Sequence, residues 1–482
     1  MDQHQTPVYD ALIRYGRDQA YSFHVPGHKD GLVFPEKALL SFQSILALDA
    51  TEVADLDDLY HPEGVLREAE QLLTNYYGSR MSCFLVNGST VGNLIMVLAA
   101  CAPGDVVLVQ RNSHKSVFNA LKLADVRPVF LAPSVDTRSG LATGIEPQTF
   151  SEALRRFPDA KALILTYPSY YGVAPCTVRR LIVQAHEAGM NVLVDEAHGP
   201  HFRMGAPVPP SSLDMGADLV VHSAHKMLPA MTMGAYLHVN STRISIEKVK
   251  MVREMLQSSS PSYPIMASLD LARAFMATMD SEFFADVLNR RDAFVEALKS
   301  MNLLTVLEAD PEHFLVDPFK IVLQPETRVS GFELQSRFIQ LGLYPEMADP
   351  RHILLTLGLS DSINYQNAVR KIEKALAHQM PGQSEVRTLI TEFPPITMLA
   401  DSYRHFKNLA SSWSALDQAV GAIAAEPVVP YPPGIPIVLG GERITERSLE
   451  LIHFWQRAGA TFQNEGIHQG KIKVYQSREQ SA

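Results

Sequence analysis

Between residues 81 and 239 the chain alternates short, almost wholly apolar runs with amphipathic segments, and nothing else in it restricts the fold as tightly. Cys83-Phe84-Leu85-Val86, Val106-Val107-Leu108-Val109, Val129-Phe130-Leu131, Ala162-Leu163-Ile164-Leu165, Val192-Leu193-Val194-Asp195, Leu219-Val220-Val221 and the run 234–239 have the length and β-branched content of strands. Helical spacing over 94–100, 114–123, 149–156 and 178–188 separates them. A strand without a polar face must be covered on both sides. The class is therefore α/β, a parallel or mixed sheet layered with helices.

The flanks are organised differently. Val8, Leu12, Ile13 and Tyr15 give a partial helical stripe, followed by an irregular arm broken at Pro26-Gly27. A helix is expected over 62–77, with proline at its start and Gly78 as its stop. Beyond 245 the pattern turns helical (265–279, 283–301), and a small α+β unit over 302–378 comes next. The last hundred residues carry the proline clusters Pro394-Pro395 and Tyr431-Pro432-Pro433-Gly434-Ile435-Pro436, then a helix over 445–458. At 482 residues two or three domains are expected. The divisions read as an N-terminal arm 1–60, a large domain 61–300, a small α+β domain 301–380 and a C-terminal domain 381–482.

Composition excludes several function classes. A net charge of −10 weighs against a nucleic-acid binder and is compatible with a cationic substrate. Cys83, Cys101 and Cys176 are odd in number and widely spaced, which suits neither a disulfide framework nor a metal cluster. No apolar run is long enough to span a bilayer, and Met1-Asp2-Gln3-His4-Gln5 does not begin a signal peptide. A cytoplasmic protein with no metal and no membrane partner is expected.

Polar residues gather where the strands end, which is where ligands bind in open α/β sheets. Asp195 closes one apolar run and Lys226 follows another. They suit a pyridoxal phosphate site, with Lys226 forming the Schiff base and Asp195 keeping the ring nitrogen protonated. A helix cap and a surface lysine fit the same segment equally well. Gly88-Ser89-Thr90-Val91-Gly92 lies between strand and helix and can cradle a phosphate, or simply cap the helix. Ser223 and His225 could reach the same phosphate, while His222 reads as the end of its strand. His114 opens a helix and could stack on a flat ring; His198, three residues after Asp195, could approach the ring hydroxyl or a substrate carboxylate. Glu442 is a loop carboxylate after the apolar run Ile437-Val438-Leu439, able to meet a cationic substrate or only water. Tyr170-Tyr171 could wall a pocket or merely pack.

Taken together, these motifs resemble the prokaryotic Orn/Lys/Arg decarboxylases, fold-type-I pyridoxal phosphate enzymes. The resemblance rests on Pro26-Gly27-His28-Lys29, Leu56-Asp57-Asp58-Leu59, Asn87-Gly88-Ser89-Thr90, Arg111-Asn112-Ser113-His114-Lys115-Ser116, Asp195-Glu196-Ala197-His198, Ser223-Ala224-His225-Lys226 and the 431–436 cluster. It implies a large domain with a mainly parallel sheet and smaller α+β C-terminal domains. It also implies Lys226 as the Schiff-base lysine, Asp195 at the pyridine nitrogen and His114 on the ring face. Gly88, Ser89, Thr90, Ser223 and His225 fall around the phosphate, His198 at the cofactor and Glu442 at the substrate. The chain departs from the family at Gly440-Gly441, commonly Pro-Gly, and at His198, a tryptophan in many larger members. It matches the compact subgroup without the N-terminal wing domain, which implies dimers or dimers of dimers with the active site near the interface. Arginine decarboxylation to agmatine is the expected reaction, with lysine and ornithine as alternatives. An α-oxoamine synthase, an aldolase and an inactive homologue are the more distant ones.

Overall fold

The computed structural model describes residues 1–482 except 18–20, 54, 383–392, 432–433 and 477–482, so Pro432-Pro433 and the start of the expected C-terminal domain lie outside the described residues. The chain forms two compact units, neither continuous in sequence: Met1–Ala100 with Asn191–Ser281, and Cys101–Met190 with Glu282–Ala482.

In the first unit four strands lie in the order Met81–Leu85, Ala235–Val239, Leu219–His222, Asn191–Asp195. The last two pair in parallel, and the other two pairings are antiparallel. Strand alternation gives this sheet two unlike faces. Leu85, Val221 and Asp195 share one face, since Asp195 stands opposite Val221 in register. The helix Gly88–Ala100 covers it closely: a Cβ on Gly92 would stand 2.3 Å from Val221 Cγ2 and 2.9 Å from Leu85 Cδ1. The other face carries Tyr236, His238 and His222, packed against Tyr77 of the helix Val65–Tyr77, and Phe84, packed against Tyr236.

Two helix starts differ from expectation, each for a physical reason. Residues 88–93 are the first turns of a helix rather than a loop, because Gly92 is there to permit close packing. The 65–77 helix begins three residues after Pro62. The Asp57 carboxylate accepts from the backbone N–H of Gly64 at 2.7 Å and of Leu66 at 3.2 Å, capping it from outside. Gly78, at φ +67°, ends that helix as predicted. The arm expected to be irregular contains a helix, Glu36–Leu46. The terminal helix Pro7–Arg17 is docked by a wholly buried Asp270–Arg273 pair, which receives the Val8 N–H and donates to the Gln3 and Gln5 carbonyls.

In the second unit Ala162–Thr166, Val106–Gln110 and Arg127–Leu131 are parallel, and Ile396–Met398 adds antiparallel to the last of them. Also in this unit is an antiparallel sheet, Leu304–Val306, Lys320–Pro325, Ile353–Thr356 and Met347–Ala348, with helices Gly331–Gln340 and Tyr365–Leu376. A further core gathers Leu416, Val428, Val438, Leu451, Ile452 and Ile472 around the helix Glu446–Arg457, whose N-terminus Thr445 and Ser448 close with a reciprocal capping box. The apolar run Ile437-Val438-Leu439 is buried but forms a single bridge, Val438 to Val428, rather than a strand. Among the described residues no helix is long and apolar enough to cross a membrane.

Candidate active site

The C-terminal ends of Asn191–Asp195, Leu219–His222 and, across the intervening antiparallel strand, Met81–Leu85 lie at one edge of the sheet in the first unit, and the polar residues that follow them lie there. Lys226 sits half-buried in the short helix Ala224–Met227, with its Nζ 3.0 Å from His198 Nε2. Asp195 is buried, and both of its oxygens are held. Oδ2 accepts from Asn93 Nδ2 at 2.8 Å, and Oδ1 accepts from the Ala197 N–H at 3.2 Å. Asn93 is available because Gly92 lets its helix lie flat on the sheet.

The hydroxyls of Ser89 and Ser223, distant in sequence, meet at 2.5 Å beside the first turn of the helix Gly88–Ala100. Gly88 takes φ +75°, donates its N–H to the Met233 carbonyl at 2.8 Å and has open space where a Cβ would stand. The ring of His225 is turned by a 3.1 Å bond between Nδ1 and the Gly234 carbonyl. Two hydroxyls and a helix N-terminus suit a phosphate, and a lysine amine and a fixed buried carboxylate suit the two ends of a pyridoxal ring. Of the residues expected at the cofactor, Gly88, Ser89, Asp195, His198, Ser223, His225 and Lys226 thus belong to one unit, together with the exposed Thr90.

His114 and Glu442 belong to the second unit. His114 caps the helix Lys115–Leu123, its Nδ1 bonded to the Ser116 hydroxyl at 2.7 Å. Glu442 is buried, and its Oε2 accepts from Arg111 Nη2 and from the Leu439 N–H, both at 2.8 Å. The Arg111 guanidinium is only 2% exposed and lies 4.5 Å from the centre of the Phe393 ring. Burial lowers its pKa, and Glu442 counters that. Tyr170 and Tyr171 both line a cavity of roughly 140 Å3 in this unit, with Arg111, Asn112, Asp349 and Trp455. The Tyr171 hydroxyl donates to Asp349; burial first, then the carboxylate charge and that bond, push its pKa well above the usual phenol value.

Sequence reasoning missed Asn93, Arg111 and the group Glu196, His222 and His238. His222 does more than end its strand: Nε2 bonds Glu196 at 3.1 Å and Nδ1 bonds His238 at 3.0 Å. The apolar neighbours of these residues gave no periodic signal. Three histidines in strand-end positions, at 198, 222 and 225, were the available clue.

The sequence matches the family model described as Orn/Lys/Arg decarboxylase, major domain, over residues 6–334, and the corresponding C-terminal domain over 384–465. It is 45% identical to an uncharacterized protein, YaaO, of Bacillus subtilis, over 92% of this chain and 93% of that one. It is 31% identical to an arginine decarboxylase of Bacillus anthracis, over 96% of this chain and 95% of the relative. Among solved structures, the constitutive lysine decarboxylase of Escherichia coli superposes with a TM-score of 0.81 at 20% identity, covering 98% of this chain and 82% of that one. A serine palmitoyltransferase of Sphingomonas wittichii shares the fold more loosely, with a TM-score of 0.53 at 16% identity over 72% of this chain and 85% of that one.

Proposed function

The chain belongs to the Orn/Lys/Arg decarboxylase family, and on that premise we propose that it decarboxylates a basic amino acid, arginine, to agmatine and carbon dioxide. Pyridoxal phosphate is the cofactor, and when bound it supplies an electron sink for the pair left as the carboxylate departs. The observation that carries the chemistry is the Lys226–His198 contact beside the fixed carboxylate of Asp195.

In this reading Ser89, Ser223, Thr90 and His225, with the N-terminus of the Gly88–Ala100 helix, hold the phosphate. Asp195 keeps a proton on the pyridine nitrogen, and Asn93 and the Ala197 N–H stop its carboxylate from turning away. Lys226 must lose a proton to act as a nucleophile, and His198 Nε2 at 3.0 Å is placed to take it. Either of the two can return a proton to the substrate α-carbon. His114 is assigned to the ring face and Glu442 to the substrate side. Glu442 acts there together with Arg111, which it already holds.

The preference for arginine is supported by relatives described as arginine decarboxylases at 30–31% identity over most of both chains, against lysine decarboxylases at 22–23%. A cytoplasmic role in polyamine synthesis follows from that substrate. A homodimer or dimer of dimers is the proposed assembly, supported by the bare apolar side chains of Tyr21, Phe23, Leu32 and Leu40 in the N-terminal arm. Incubation with arginine, lysine and ornithine in competition, followed by amine identification, tests the reaction. Agmatine alone is expected. Cadaverine or putrescine would reassign the substrate, and no amine at all would return the α-oxoamine synthase and aldolase readings.

A further inference from the structure

Asp195 and Glu196 are adjacent, and strand alternation sends them to opposite sides of the sheet. Asp195 faces the helix that carries Asn93. Glu196 is wholly buried on the far side, and all the acceptor positions of its carboxylate are filled. Oε1 accepts from the Ser211 hydroxyl at 2.7 Å and from His222 Nε2 at 3.1 Å. Oε2 accepts from the Ser212 N–H at 2.7 Å and from the Ser212 hydroxyl.

A string of buried groups continues from there. His222 Nδ1 meets His238 Nε2 at 3.0 Å, His238 Nδ1 meets the Ser82 hydroxyl at 2.7 Å, and Ser82 meets Ser79 at 2.7 Å. Tyr77 packs along both rings and donates its hydroxyl to the Pro200 carbonyl at 2.7 Å, closing the far end of the same turn. Burial, and then His222 and Arg203, hold the His238 pKa well below its ordinary value, so that ring is neutral. If each ring carries a single proton, the string has one consistent order. His222 donates from Nε2 to the carboxylate, so its Nδ1 must accept from His238 Nε2–H, and His238 Nδ1 must accept from Ser82.

We propose that Glu196 is a positioning residue for Asp195 and His198, anchored by the His222–His238–Ser82 string. The inference rests on the cofactor-facing roles assigned to those two residues above. Its backbone does the holding: Glu196 N–H donates to the Val221 carbonyl at 3.0 Å, and the Gly199 N–H donates to the Glu196 carbonyl at 2.9 Å. Gly199 can carry no side chain here, since a Cβ would stand 2.7 Å from Glu196 Cγ. The turn that presents Asp195 and His198 is thereby closed around the Glu196 side chain.

Two variants test this without relying on turnover. In Glu196→Gln the amide NH2 cannot face the Ser212 N–H, so it must point at His222. The string can then be satisfied only in reverse, and both His222 and His238 move their proton from Nε2 to Nδ1. Nitrogen-15 NMR of histidine-labelled protein reads that change, and unchanged tautomers would overturn the proposal. Glu196→Ala leaves buried donors unmet. It should weaken pyridoxal phosphate binding, followed by visible absorbance, by roughly tenfold, with Glu196→Gln recovering most of the loss. Thermal destabilisation of Glu196→Ala with wild-type cofactor affinity means a merely structural carboxylate and also overturns the proposal. If Glu196→Ala does not fold, Glu196→Asp, which keeps the charge but shortens the reach to Ser211 and Ser212, decides by the same affinity readout: weaker cofactor binding is expected, and wild-type affinity overturns the proposal. An absence of amine product in the wild type would sink the proposed reaction but leave both readouts as predicted.

Discussion

Replacing Gly92 with alanine should damage stability and cofactor binding together, and the size of the effect can be worked from the packing. The added Cβ would stand 2.3 Å from Val221 Cγ2, 2.9 Å from Leu85 Cδ1 and 3.2 Å from Val221 Cβ. Carbon atoms in contact sit about 3.5–4.0 Å apart, so more than an ångström must be found. Val221 cannot supply it: it is wholly buried, and branching at Cβ restricts its χ1. The helix Gly88–Ala100 must lift instead, and Ser89 and Asn93 lift with it. The 2.8 Å bond to Asp195 and the 2.5 Å approach to Ser223 both lengthen. Overpacking of this kind costs about 1–3 kcal/mol. Urea unfolding should show a lower midpoint at unchanged slope, and titration with pyridoxal phosphate a weaker affinity. Gly88→Ala is a control for the stability effect alone: its Cβ meets no protein atom within 4 Å, so only the φ of +75° is penalised in the fold, at about 1 kcal/mol. A Gly92→Ala protein within about 0.5 kcal/mol of wild type, binding cofactor normally, would refute the close helix-on-sheet packing.

Three other perturbations follow from the same geometry. Lys226→Ala should lose both decarboxylation and the visible absorbance that borohydride traps in the wild type, and a colourless variant that still released carbon dioxide would sink the mechanism. Glu442→Ala leaves the buried Arg111 guanidinium without its carboxylate, a change worth about 3–5 kcal/mol. A Tm fall is therefore expected before any KM effect is read, and an unchanged Tm with raised KM would mean that Glu442 serves the substrate alone. Burial pushes the Asp349 carboxyl upward, but His352, the Tyr171 hydroxyl and the Arg351 N–H outweigh it and hold the pKa below the ordinary aspartate value. A folded pKa below the unfolded one gives stability that is present above about pH 4 and lost as pH falls through the folded value. The acid limb of a Tm-against-pH curve should accordingly flatten in Asp349→Asn.

Much of this was legible in the sequence because the strands are apolar and short and several candidate site residues lie at or just beyond their ends. Lys226, Asp195 and Ser223 could be placed at strand ends from that alone. Strand direction was not legible: the antiparallel placement of Met81–Leu85 and Ala235–Val239 depends on long-range pairings such as Ser82 with His238, 156 residues apart. The helix at Gly88 was hidden for a different reason. Two glycines, a serine and a threonine have poor helix propensity, and only packing against Val221 explains why the helix begins there. Asp57 stood in the sequence only as part of the motif Leu56-Asp57-Asp58-Leu59, and its role as the cap of the 65–77 helix needed the fold.

The pairing of Asp195 with Val221 also makes sheet register part of the chemistry. A one-residue slip of Asn191–Asp195 against Leu219–His222 would turn every side chain to the opposite face. Asp195 would then meet the histidine string, and Glu196 would face Asn93. Register here is protected twice. On one side Glu196 is saturated by Ser211, Ser212 and His222. On the other, the Asp218 carboxylate receives the Val192 N–H at 2.7 Å, at the opposite end of the same strand. Glu196 and Asp218 thus fix Asp195 as the carboxylate that faces Asn93. A residue such as Glu196 can therefore matter to the reaction without touching the cofactor, and its acidic neighbour on the sequence is the reason it was easy to overlook.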